Sequence, residues 1–81
     1  MNINRATAQQ VESIMRDVGA QINNSVRVVM DNCDEATFHH YRRIAGKLMG
    51  EILIEILNPI YAAHPDLTPP ELRQDGKDYN A

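Results

Sequence analysis

The segment K-L-M-G-E-I-L-I-E-I-L, Lys47 to Leu57, limits the fold more than any other part of this chain. Wound as an α-helix, it places Lys47, Glu51 and Glu55 on one thin line and apolar side chains on about three of its sides. Burying one leucine or isoleucine is worth about 1.5–3 kcal/mol, so those sides need cover. A chain of 81 residues makes at most one small domain. Its core is thin, and folds of this size gain stability from disulfides, metals or association. Cys33 is the only cysteine, so no disulfide can form within the chain. That count fits a reducing compartment. The opening M-N-I-N-R-A-T-A-Q-Q has no apolar leader, and the greasiest window, 44–63, contains Lys47, Glu51, Glu55 and Asn58-Pro59. A cytoplasmic protein with no membrane span is expected.

Two long helices account for most of the chain. Apolar residues at 11, 14, 15, 18, 22, 26, 29, 30 and 33 follow the helical period, with Glu12, Arg16 and Arg27 behind the stripe. Thr7 and Gln10 have the form of a capping box, which predicts a start at Thr7. Gly19, Asn23 and Asn24 weaken the middle of this helix, and S-V-R-V-V-M beyond them has strand character. A lone strand would have no pairing partner, so continuous helix is the expectation. Asp31 to Asp34 reads as the turn, with Asp34 as N-cap of a second helix from Glu35 to about Leu57. Asn58-Pro59 should end that helix, and I-Y-A-A-H can add one more turn with Pro59 at its first position. Equal helices with a short connection describe an antiparallel helical hairpin over 1–64. Residues 65–81 read as a proline-containing, partly ordered extension, with Ile60, Tyr61, Leu67 and Leu72 capping the open end.

The second helix has two apolar faces. Phe38, Tyr41, Ala45, Leu48, Ile52 and Ile56 share one sector, which the first helix can cover. Met49, Leu53 and Leu57, with Gly46 and Gly50, form another about 100° away. One partner helix cannot bury both. A second copy is the economical cover, since two-fold dimers are the commonest assemblies. Gly46, Met49, Gly50, Leu53 and Leu57 are therefore the expected dimer interface of a four-helix bundle. The two glycines would let backbones approach closely.

Chemistry is sparse. His39 and His40 are adjacent and project about 100° apart, so they cannot chelate one metal from a regular helix. Cys33, Glu35 and His39 could in principle hold zinc, but Glu35 is equally explained by the helix dipole at a first turn. Cys33 near a helix start could have an activated thiol, yet it also falls on the apolar stripe, where free cysteine is ordinarily core. No phosphate loop and no paired-carboxylate motif is visible. The expectation is a non-enzymatic protein with no cofactor and no metal. The remaining local feature is the basic run His39, His40, Arg42, Arg43 and Lys47, with Arg27 close to it in a hairpin. Such a run can dock an acidic surface of an unidentified protein partner. The formal charge of −3 disfavours a general nucleic-acid binder. A helical homodimer acting as adaptor, inhibitor or regulator is the leading reading. A nucleic-acid-associated regulator using the basic start of the second helix is the alternative.

Overall fold

The computed structural model describes residues 2–70, and every regular element among them is helical. Helix α1 spans Arg5–Asn32. Asn4 caps it, its side-chain oxygen accepting the Thr7 N–H at 2.8 Å. The start therefore lies upstream of the expected Thr7, because Asn4 is the better-placed cap for the first free N–H groups. The helix continues unbroken through Gly19 to Asn24 and through the strand-like S-V-R-V-V-M. With no second strand to satisfy its backbone, that segment completes its hydrogen bonds within the helix.

Cys33 turns the chain extended while its N–H still bonds the Val29 carbonyl at 2.9 Å. Asp34 then caps α2, Glu35–Glu51, by accepting the Thr37 N–H at 3.0 Å. Two residues make the whole connection.

The chain departs from expectation at Asn58-Pro59. α2 passes into a π-helical segment, Ile52–Leu57, and then into α3, Asn58–Ala63, without leaving helical geometry. Proline lacks an N–H, and its ring crowds the carbonyl four residues back, here that of Glu55. The π segment moves the hydrogen bonding one residue further along, so that the Asn58 N–H bonds the Leu53 carbonyl. A wider turn just ahead of Pro59 accommodates the ring where a tight α turn would not. Its extra residue per turn also rotates the side chains beyond it. Leu57 falls on the outer sector of an ideal wheel, yet it is 8% exposed and part of the core.

Contacts between the two long helical stretches pair rising positions on one with falling positions on the other. Ser25 and Tyr41 share a hydroxyl hydrogen bond of 2.7 Å. Met49 lies over Gly19, where an added methyl would sit 4.0 Å from its Cε. The Tyr61 hydroxyl donates to Glu12 at 2.8 Å. Arg5 Nε donates to Asp66 at 3.0 Å, and His64 Nε2 is 3.1 Å from the Ile3 carbonyl.

The core sits at the end far from the turn. Ala8, Leu57, Ile60 and Tyr61 are buried together, with Ile3, Val11, Met15, Ile52, Ile56 and Leu67 packed on them. The short turn Pro65–Leu67 thus folds back as expected, bringing Leu67 onto the cluster; Leu72 lies outside the described residues. Glu12, expected on the polar back of α1, is only 4% exposed. It is tolerated there because Tyr61 and Arg16, the latter at 2.9 Å, satisfy its carboxylate. Phenylalanine in place of Tyr61 removes one donor and keeps the ring. It should cost about 1–3 kcal/mol in urea denaturation with helix content unchanged.

Two exposed carboxyls contribute to the acid response. The Thr37 hydrogen bonds hold Asp34 below the ordinary carboxylate value, and the Arg5 guanidinium does the same for Asp66. A carboxyl depressed on folding stabilises the fold above its unfolded value, and that contribution fades as pH falls through the folded one. The thermal midpoint should therefore hold down to about pH 4 and drop below it. In Asp66→Asn the drop should be shallower.

Candidate functional site

Between α1 and the second helical stretch lies an open groove of about 530 Å³. Met15, Gly19, Ala20 and Asn23 supply one wall; Met49, Gly50, Ile52, Leu53 and Leu57 supply the other; Arg16 is the only charged residue lining it. Four of the five residues expected at a dimer interface line this groove opposite α1. Met49 and Gly50 are half-buried, Leu53 is exposed and Leu57 is buried. Gly46 is exposed, and apart from the backbone of their own helix and their chain neighbours no described atom lies within 4 Å of where a side chain at Gly46 or Gly50 would begin. Met49 approaches α1 at Gly19, at a distance that an alanine there would also permit. The sequence offers that glycine only as a weak point in the helix.

Leu48 shows the converse. Its wheel position belongs to the stripe covered by α1, but it is 53% exposed. Ile44, Ile14 and Val18 are exposed with it, as are Val28, Met30 and Ile54. α1 settles over Ala45 and Met49, and contact with both leaves Leu48 to one side. The molecule is a single layer of helices, only 15 Å in its thinnest dimension. Its radius of gyration of 15.4 Å exceeds the about 11–12 Å of a compact chain this long.

The basic residues are all at the surface. Arg27, His39, His40, Arg42, Arg43 and Lys47 are exposed. Arg42 lies over the Phe38 ring, 5.8 Å from its centroid, a cation–π distance. His39 stands 3.8 Å from Glu35 and tilts against the same phenylalanine at 5.2 Å. Among the described residues, Arg27, His40, Arg43 and Lys47 enter no ion pair. Neither Asp31 nor Asp34 forms an ion pair with them, and Asp34 caps α2 by accepting the Thr37 N–H. Arg27 reaches this end of the molecule through the Ser25–Tyr41 contact two residues away.

Cys33 is exposed at the end of α1, off the stripe it was expected to extend, because the helix stops at Asn32 and the backbone turns extended. Glu35 pairs with His39 without Cys33. Among the described residues no three histidine, cysteine or acidic side chains converge as metal ligands. No described helix is long and apolar enough to cross a membrane.

Glu12 is the site residue that sequence reasoning missed. Its spacing from Arg16 was visible, but the partner that draws it inward, Tyr61, is 49 positions away. Comparisons with protein-family models, curated proteins and solved structures give no match to this chain.

Gly46 offers a direct probe of this surface. In open space a helical glycine costs about 1 kcal/mol relative to alanine. Gly46→Ala should raise the urea midpoint by a corresponding amount. A fall instead would mean that another backbone packs against this position.

Proposed function

We propose that this chain works by contact rather than catalysis. It is a non-enzymatic interaction protein in which α1 and the second helical stretch form an antiparallel hairpin, and two hairpins associate as a four-helix bundle. The observation that carries this reading is the imbalance between cover and apolar surface. Among the described residues, five apolar side chains besides Pro69 are buried, two of them alanines, whereas eight large apolar side chains are more than a third exposed. Scattered exposed leucines are ordinary, but here Ile14 and Val18, and Ile44 and Leu48, recur at helical spacing as faces. Isolated folds with so small a core are marginal, and burial against a second copy supplies what the chain lacks.

The unpaired basic residues Arg27, His40, Arg43 and Lys47 support a second contact, with an acidic surface on a larger protein that the dimer regulates. Such a patch speeds and orients encounter more than it strengthens the complex. Nothing in the arrangement offers a base-stacking platform, since Phe38 is already engaged by Arg42 and His39. The nucleic-acid alternative therefore has less support.

Sedimentation of the isolated chain over a concentration series tests the reading. Two copies per particle are expected, with little binding of a hydrophobic dye once the dimer forms. A single-copy species at high concentration that also binds no dye would sink it.

A further inference from the structure

We infer that two copies pair antiparallel along the outward side of α2 and the π turn, with Arg43 and Lys47 of each copy set against Glu51 and Glu55 of the other. This rests on the homodimeric reading and adds which surface closes it. Four charges follow one another at i, i+4 spacing along this helical stretch, two basic and then two acidic: Arg43, Lys47, Glu51 and Glu55. Each step of four advances about 40° around an α-helix, so they form one slowly winding row. The wider π turn brings Glu55 back toward that row. Lys47, Glu51 and Glu55 border one shallow hollow, with Gly50 and Ile54 between them. All four charged side chains are exposed, and among the described residues none enters an ion pair.

The row is its own electrostatic complement. Counting outward from Met49, Lys47 and Glu51 stand two residues to either side, Ile44 and Ile54 five, and Arg43 and Glu55 six. A two-fold axis at the level of Met49 brings each position of one antiparallel helix level with its counterpart in the other. Cations then meet acids in every charged pair, and isoleucine is level with isoleucine. The register is selected too. Moving the axis two residues along the helix would set Glu51 against Glu51 or Lys47 against Lys47, and parallel copies would oppose like charges throughout. Local helix stability does not account for the order, because a lysine four residues ahead of a glutamate is the weaker arrangement within one helix. Apolar surface flanks the row: Ile44, Leu48 and Ile54 are 44%, 53% and 63% exposed. The open space at Gly50 lets a second helix come close beside it. Arg43 and Lys47 are taken up in this dimer, and Arg27 and His40 remain for the acidic contact with a larger protein.

Charge exchange in the full chain tests the pairing, read by sedimentation with circular dichroism to follow helix content. One variant carries Arg43→Glu and Lys47→Glu, the other Glu51→Lys and Glu55→Lys. Each alone opposes like charges, and its dimer should dissociate at about 10-fold higher concentration than wild type or more. Mixed in equal amounts, the two should form a two-copy particle containing one of each. A chain with all four exchanges reverses every sign and keeps the wild-type net charge, so it should dimerise as wild type does, even where the two-exchange variants alone lose helix. Self-association of both variants at wild-type strength, a mixture that does not pair while its components stay helical, or a four-exchange chain that does not dimerise overturns this interface and leaves the homodimer standing. A wild-type chain that sediments as one copy removes both.

Discussion

The packing of Leu57, Ile60 and Tyr61 onto Ala8 is the contact on which the rest of this molecule depends. It ties the end of the second helical stretch to the start of α1, at the opposite end from the two-residue turn. Without it the two helices would be joined only at Cys33-Asp34 and along a contact lined by Gly19 and Ala45. The contact is possible because the chain does not stop at Pro59. The π-helical turn before that proline absorbs the missing hydrogen bond and rotates Leu57 inward, and α3 carries Ile60 and Tyr61 into place. Ala8, with no exposed surface at all, is small enough to let them approach. Glu12 accepts the Tyr61 hydroxyl and pairs with Arg16, so the one buried charged residue among those described is held by the same element that makes the core.

A core built at one end has consequences for the other. Toward the turn the helices meet through the Ser25–Tyr41 hydrogen bond and the burial of Ala45, with Ile22, Val26, Val29, Phe38 and Tyr41 only half-buried. Two helices side by side can cover only the strip where they meet, and each then presents flanks above and below the layer. In this sequence both flanks are apolar over the middle of the helices. One is concave and lined by Met15, Gly19 and Met49. The other is raised by Ile44 and Leu48. A third helix would ordinarily be laid over such a surface, and among the described residues the chain has only Pro65–Leu67 left to offer, spent at the core end.

The periodicity of residues 11–33 and the turn at Asp34 were sufficient to read two long helices from the sequence, because helical spacing and capping are local properties. The continuation past Pro59 was not legible. Proline reports that an α-helical hydrogen bond is lost, but not that a π turn compensates. A wheel drawn with α geometry therefore sends Leu57 outward, the reverse of its burial, whereas Leu48, upstream of the π turn, is exposed because it lies at the edge of the covered stripe. Glu12 was misplaced for a different reason. A lone acid on a stripe reads as solvent-facing unless its partner is known, and Tyr61 becomes its neighbour only through tertiary contact. The basic residues at the start of α2 were legible as surface, whereas the engagement of Arg42 with Phe38, which limits what they can bind, was not.

The proposed association follows from the same physics as the fold. A helix pair that shields one strip of each helix gains too little from burial to offset the entropy of ordering its chain. Coupling to a second copy adds a concentration-dependent term, so that folded stability and dimer strength rise and fall together. The groove is lined by two methionines whose flexible, polarisable side chains adapt to varied apolar contacts. Arg16 at its edge and the unpaired basic residues toward the turn would favour an acidic, partly apolar segment of a larger protein.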